Sequence, residues 1–230
     1  MVALNFDWTR PEAILNLNEV AELRGWSREN GTLRIGSGLT YTEAMALGED
    51  FQSLAEASRT VGSPQIRNRG TIGGNLGTAS PAGDALPPLL IEGAQVEVAS
   101  VRGSRSLPIE EFLVGVKRNA LEPDELIAAV HVGPSGQPQT FMKVGPRNAM
   151  VIAVCSLALV VDRERDEVRA AFGSAAPVAR LVRAPLDDVG SFPEQVADAA
   201  SPIDDVRGTA AYRRHALRVL TQRALERCLA

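Results

Sequence analysis

Between Val61 and Leu86 the chain reads VGSPQIRNRGTIGGNLGTASPAGDAL, with Gly70, Gly73, Gly74 and Gly77 crowded together. Glycines this close are needed where backbone takes positive φ or lies very near a neighbour. Thr71, Asn75, Thr78 and Ser80 stand between them as neutral hydrogen-bonding groups. The neighbour is therefore expected to be a polar ligand, and an anion such as phosphate, held by backbone N–H groups, fits best. The stretch itself is expected to be a loop. No GxxxxGKS or GxxxxGKT occurs and no GxGxxG follows a strand, so neither a P-loop nor a Rossmann dinucleotide site is present. Gly73 and Gly74, flanked by Thr71 and Asn75, suit a pyrophosphate: two amides without Cβ atoms turn toward one phosphate while hydroxyl and amide donate from either side. Asp84 would repel a phosphate, and its natural partner is a hydroxyl of a ribose or ribityl chain. FAD presents both groups. Other nucleotides, or a purely structural turn with Asp84 capping the next helix, satisfy the same residues.

Composition narrows the classes. Across 230 residues the net charge is −4 with both signs mixed, which disfavours nucleic acid as a partner. Cys155 and Cys228 are far apart and form no CxxC, which argues against a disulfide framework, a zinc site or an iron–sulfur cluster held by this chain alone. His131 and His215 match no ligand or triad spacing, and no catalytic or metal-binding residue is assigned. The N-terminus lacks the pattern of a signal peptide, and the apolar run from Ala149 to Val161 is too short to span a bilayer. A cytoplasmic protein is expected, with membrane contact of a peripheral kind only.

Strand and helix signals alternate through the first half. Ala13–Leu17 reads as a strand, with Asn18 capping a short helix over Glu19–Leu23 that Gly25 ends. Asn30-Gly31 is a turn into a strand at Thr32–Ile35. Thr40 and Glu43 have capping-box spacing, giving a helix to Leu47, and a further helix covers Phe51–Arg59. Ser63-Pro64 starts a helical turn. After the glycine stretch, Pro87 and Pro88 open a buried helix. A strand at Gln95–Ser100, a turn at Arg102–Ser104, a short helix at Pro108–Phe112 and a strand at Glu125–Val132 follow. Residues 133–139, GPSGQPQ, form the clearest linker. We place a domain boundary there, giving units 1–137 and 138–230. Beyond it, strands are expected at Thr140–Val144, Met150–Val161 and Val168–Phe172, and helices at Phe192–Ala200 and Thr209–Leu229. The last helix buries Leu217, Leu220, Ala224 and Cys228 and leaves Arg213, Arg214, Arg218, Arg223 and Arg227 solvated.

RNRGTIGGNLGTASPAGD resembles the second FAD-binding motif of the flavoprotein (medium) subunit of molybdenum hydroxylases, the family of xanthine dehydrogenase and aerobic carbon monoxide dehydrogenase. LEPDELI, FMKVGPRNAMVIAV, FGSAAPVARLVRA and DVRGTAAYRRHALRVLTQRAL resemble later segments of that family, so the likeness extends over nearly the whole chain. It implies an α+β fold: a vanillyl-alcohol-oxidase-like (PCMH-type) FAD-binding α/β domain, then a small α+β domain. It also implies FAD as cofactor. Gly70, Thr71, Ile72, Gly73, Gly74 and Asn75 would lie in the motif, with Thr71, Gly73, Gly74 and Asn75 on the pyrophosphate. Val61 would lie near the cofactor, Asp84 on a flavin hydroxyl, Ile127 on the ring and Lys143 at its pyrimidine edge. The implied partners are a molybdopterin-binding large subunit and an iron–sulfur small subunit, with electrons passing through FAD to NAD, a quinone or oxygen.

The family also carries an earlier glycine-pair unit, AGGT or AGGH, that completes the flavin pocket. Here LNFDWTRPEAILNLNEVAEL resembles the residues just after it. The FAD domain is therefore expected to be N-terminally truncated, through a start assigned late or a fragment of a longer chain. A degenerate, cofactor-free scaffold or assembly protein descended from such a subunit is the alternative. A stand-alone FAD oxidase is disfavoured, because nothing resembles a substrate domain.

Overall fold

The computed structural model describes residues 10–48, 50–133 and 136–230. Residues 1–9, and Pro134 and Ser135 of the expected linker, lie outside them. Residues 13–17 form no strand: all are exposed, and among the described residues they have no sheet neighbour. Asn18 caps nothing, since the one turn of 3-10 helix, Ala21–Leu23, begins after Val20 without a side-chain cap. Ala13, Ile14, Leu15 and Leu17 satisfied the strand pattern, but no sheet edge among the described residues receives them.

The hairpin of β1 (Trp26–Glu29) and β2 (Thr32–Gly36) was visible only in its second half. Its turn has φ of 52° at Asn30 and 82° at Gly31, with Glu29 opposite Thr32. This is the primed two-residue turn whose twist matches paired strands. At α1 (Tyr41–Ala44) the capping box is present in full: Thr40 Oγ1 accepts from the Glu43 N–H, and the Glu43 carboxylate accepts from the Thr40 N–H at 2.8 Å. Next come α2 (Gln52–Thr60), α3 (Pro64–Arg67, capped by Ser63), α4 (Ile72–Thr78) and α5 (Leu86–Ile91). The expected glycine loop is thus the helix α4.

The chain continues through β3 (Gln95–Ser100), β4 (Gly103–Pro108), α6 (Ile109–Phe112), β5 (Leu113–Gly115), β6 (Arg118–Asn119) and β7 (Leu126–Val132). One antiparallel sheet has the order β1-β2-β7-β3-β4, with β5 and β6 paired separately. A second antiparallel sheet, ordered β11-β10-β9-β8, is built from β8 (Gln139–Val144), β9 (Cys155–Asp162), β10 (Glu167–Gly173) and β11 (Arg180–Pro185). Residues 150–154 are not part of β9, contrary to expectation; Met150 takes φ of 52°, which ends any extended run there. The polar-looking β4 and β11 escaped sequence reading, because both are edge strands with mostly solvent-facing side chains.

All eight residues of β9 are buried because the second sheet is covered twice. Helices α7 (Phe192–Ala199) and α8 (Ala210–Leu229) pack on one another, and α8 lies on β8 and β9. Helix α5 lies on β9, β10 and β11, while α2 lies on β8. Each residue of α5 is buried. One hydrophobic cluster accordingly contains Leu33, Val96 and Val130 of the first sheet together with Phe141, Val160 and Ala171 of the second. No helix among the described residues is long and apolar enough to cross a membrane.

Arg213 is a correction. It is 1% exposed, not solvated. Its guanidinium donates to the carbonyl of Val154 at 2.6 Å, to that of Ser174, and to Asp205 at 2.6 Å. Spaced four residues before Leu217, it belongs to the buried stripe of α8 rather than to the solvated faces.

Candidate functional site

Why a sequence so rich in glycine forms α4 is answered at its N-terminus. The Thr71 hydroxyl accepts from the Gly74 N–H at 2.9 Å as the N-cap. The Ile72 N–H donates to the Leu39 carbonyl at 3.0 Å, the Gly73 N–H to that of Ser37 at 2.8 Å, and the Asn75 N–H to that of Thr71 at 3.0 Å. The Gly70 carbonyl accepts from the Tyr41 N–H, and Thr40 bridges Thr71. The loop before α1 thus supplies acceptors that a free helix end lacks. The same bonds correct one expectation: the amides of Gly73 and Gly74 already have acceptors within the protein and do not point to a ligand.

The two central glycines have different work. A Cβ on Gly73 would lie 2.5 Å from Ser37 Cβ and 2.7 Å from the Ser37 carbonyl oxygen, so this residue permits the close approach of α4 to the loop after β2. A Cβ on Gly74 would meet only the Thr71 hydroxyl, at 3.0 Å, and otherwise faces open space. Replacing Gly73 by Ala is expected to destabilise the chain by about 3 kcal/mol through overpacking, measured by urea unfolding. Gly74→Ala, by contrast, should leave stability within about 1 kcal/mol.

The residues singled out from sequence fall into two hollows that α4 separates. Thr71, Gly73, Gly74 and Ile127 line a groove of about 350 Å³ beside Leu121. Val61, Asn75 and Asp84 line a cleft of about 490 Å³ with Tyr41, Arg147 and Ile152. Ile72 belongs to neither: it is fully buried in the core. Gly70 lies at the foot of α4, its would-be Cβ 3.2 Å from the Tyr41 ring. Lys143 comes from β8 and lines the adjoining hollow, and its ammonium donates to Asp84 Oδ2 at 2.6 Å and to the Thr60 carbonyl at 3.1 Å.

Asp84 does not cap α5, whose N-cap is Ala85 without a side-chain bond. Instead it is a buried carboxylate facing Lys143, both side chains under 10% exposed. Burial raises its pKa to about 6, against the opposing pull of Lys143. The Tyr41 hydroxyl, four per cent of whose residue surface is exposed, is held above its ordinary pKa by burial and then by the Asp84 charge, against a weaker pull from the neighbouring Asn75 amide, which approaches it without forming a well-aligned hydrogen bond. Three buried atoms around this cleft have no hydrogen-bond partner: Tyr41 Oη, Asn75 Oδ1 and Asp84 Oδ1. Buried polar atoms are normally paired, and three orphans lining one cleft mark a place for a polar ligand.

Tyr41 escaped sequence reading because nothing distinguishes it from an ordinary first-turn residue; only the bridge from Thr40 to Thr71 brings it to the cleft. Arg147 is exposed and folds back onto the carbonyls of Ala149 (3.0 Å) and Met150 (2.5 Å), where it forms part of the cleft wall.

Residues 1–135 match the family model described as FAD binding domain in molybdopterin dehydrogenase. The xanthine dehydrogenase FAD-binding subunit of Escherichia coli O157:H7 is 30% identical over 252 residues, covering 100% of this chain and 86% of that protein. The carbon monoxide dehydrogenase medium chain of Afipia carboxidovorans is 29% identical over 240 residues, covering 96% and 82%. Carbon monoxide dehydrogenase from Hydrogenophaga pseudoflava has the same fold, with a TM-score of 0.90 at 23% identity over 99% of this chain and 85% of that one. Quinoline 2-oxidoreductase from Pseudomonas putida 86 does too, with a TM-score of 0.89 at 21% identity over 99% and 85%. A family model matching more than half of the chain, joined to relatives aligned along all of it, leads to one conclusion: this chain belongs to the FAD-binding subunits of the molybdopterin dehydrogenases, the oxidoreductase family of xanthine dehydrogenase and the carbon monoxide dehydrogenase medium chain.

Proposed function

We propose that this chain holds FAD and works in the cytoplasm beside a molybdopterin-binding large subunit and an iron–sulfur small subunit. It takes electrons from the iron–sulfur clusters of the partner and passes them to NAD, a quinone or oxygen. In this reading residues 1–137 form the flavin-binding unit and 138–230 an accessory one.

The observation that carries the reading is the trio of orphaned atoms. Asn75 Oδ1 and Asp84 Oδ1 are acceptors, and Tyr41 Oη serves as donor or acceptor. The hydroxyls of a ribityl chain or ribose are the donors such a set lacks, so these residues fit the polyol of FAD. With the Gly73 and Gly74 amides engaged, the hydroxyl proton of the N-cap Thr71 is a donor left to meet a phosphate oxygen, and Gly74 leaves the space beside it. Val61 offers apolar surface to a flat ring from the cleft that holds Asp84, whereas Ile127 lies in the other groove, with Thr71 and Gly74, and does not share that surface. FAD, when bound, supplies reversible uptake and release of electrons. Lys143, although paired with Asp84, would supply a positive charge near the ring to stabilise negative charge on reduction.

Hydroxyl donors favour the ionised form of Asp84, whose pKa is raised to about 6 without them. FAD binding should therefore release a proton, and affinity should rise about tenfold from pH 5 to pH 7. Fluorescence titration of the chain with FAD measures this, and Asp84→Asn should flatten the profile. The deciding test is visible absorption of the complex purified with all partner chains. Flavin bands at one per chain are expected. Their absence would overturn the reading and leave the cofactor-free scaffold.

A further inference from the structure

We propose that the surface built by Val116, Lys117, Ile152, Ile203 and Arg207 docks the electron-donating partner chain, and that it receives from that chain a segment carrying apolar side chains and a carboxylate. The inference rests on the electron-transfer reading above and adds where the donor binds and what it presents.

These residues line a hollow of about 500 Å³ that shares Ala82 and Ile152 with the cleft holding Asp84. A donor seated there lies directly against the cofactor site. Its rim is apolar: Val116 is 54% exposed, Ile152 64% and Ile203 71%. Three large aliphatic side chains left in water around one hollow mark an interaction surface, since isolated domains seldom expose contiguous apolar patches of this kind.

Charge selects the partner. No aspartate or glutamate lines the hollow, whereas Lys117, Arg207 and Arg213 do. Arg207 and Arg213 share a single carboxylate, Asp205, at 2.7 and 2.6 Å. One positive charge of that trio is therefore uncompensated, and the Lys117 ammonium has no ion pair among the described residues. Arg213, 1% exposed, also keeps an Nε–H without an acceptor. An unpaired donor in so buried a cation is the kind of vacancy a carboxylate fills. Apolar walls with a net positive floor complement an acidic side chain or chain terminus flanked by apolar residues, and repel a basic one.

The test is recovery of partner chains with the tagged subunit, co-expressed as the complete complex. Ile203→Asp should lower recovery at least tenfold, and Lys117→Glu several-fold. Both substitutions lie on the exposed rim, so the urea midpoint of the purified chain should match wild type. Val101→Asp, at a 99% exposed residue between β3 and β4, should leave recovery unchanged. Wild-type recovery in both rim variants would overturn the proposal. Flavin absorbance of the same samples separates the two readings: flavin present with recovery unaffected sinks the docking surface alone. Flavin absent from the wild-type complex, with recovery still lost in the variants, sinks the electron-transfer reading and leaves the surface standing. A third arm adds benzoate to the chain alone. A raised melting temperature in wild type but not in Lys117→Glu, with partner recovery intact, would replace the docking surface with a small-carboxylate pocket.

Discussion

Replacing Arg213 with Leu is expected to destabilise the chain by about 3–5 kcal/mol, the cost of leaving two carbonyls without the charged donor they accept from. The guanidinium ties α8 to three separate places: the carbonyl before β9, the carbonyl after β10, and Asp205 in the loop that leads into α8. Without it two buried carbonyls lose their donor and Asp205 keeps only Arg207. Asp205, held by Arg207 and Arg213, is an acid whose pKa lies near 2, so the network is ionised throughout the range in which the protein would be handled. Urea unfolding should show the midpoint falling by roughly 1.5 M with little change in slope. Arg213→Lys retains the charge but not the fork and should fall between the two. Arg223→Ala, on the exposed face of the same helix, should stay within about 0.5 kcal/mol of wild type. An unchanged midpoint for Arg213→Leu would mean that the network contributes nothing net.

The second large effect concerns Asp84 and Lys143. Among the described residues each is the other's only ion-pair partner, at 2.6 Å, and neither side chain reaches 10% exposure. Lys143→Met should cost about 3 kcal/mol at pH 7, because it leaves a buried carboxylate facing only neutral groups. Asp84→Asn should cost less, because the ammonium it strands on the Thr60 carbonyl is offset by removal of a buried carboxylate whose ionisation folding disfavours. The double variant should be less damaging than the sum, by about 2 kcal/mol, since no uncompensated charge remains. The pH dependence has a definite sign. The pKa of Asp84 is raised by folding from 3.8 to about 6, so its favourable share is fully present below 3.8 and is lost as pH rises through about 6. The size of that loss is about 3 kcal/mol. Lys143→Met, which removes the force holding the pKa down, should extend the loss to higher pH, and Asp84→Asn should abolish it. Unfolding curves between pH 4 and pH 8 give the comparison.

What could be read from letters alone follows physical lines. The capping box at Thr40 and Glu43, the Ser63-Pro64 start and the Asn30-Gly31 turn are local devices, and each stands where its residues placed it. The glycine stretch lies inside the region that the family model matches, but its conformation was misread. Low helix propensity is a weak prior, and here Ser37, Leu39 and Thr71 overrode it by accepting the first-turn amides. Those acceptors are distant in sequence or hidden in a side chain, so no local rule reveals them. Ala13–Leu17 fails the other way: the local pattern was good, but no strand among the described residues pairs with it. Arg213 was legible and was missed, because the spacing that buries Leu217, Leu220, Ala224 and Cys228 runs back through it. Charge was allowed to outweigh periodicity. The pairing of Lys143 with Asp84 was out of reach, since it joins β8 to the segment before α5 across the core.

The six buried residues of α5 have a consequence for how such chains can be rebuilt by recombination. Helix α5 is encoded well before the linker at residues 133–139, yet it packs on β9, β10 and β11, all of which come after it. A crossover placed at residues 133–139 would be a poor one for the core. A foreign module joined there would leave Leu86, Leu89, Leu90 and Ile91 facing water, unless it brought a sheet shaped to receive them. Arg169 of β10, which donates to the Ile91 carbonyl at 2.6 Å, would have to be matched as well. Modular exchange in this architecture should therefore conserve α5 and its facing sheet as an inherited pair, wherever the gene is cut.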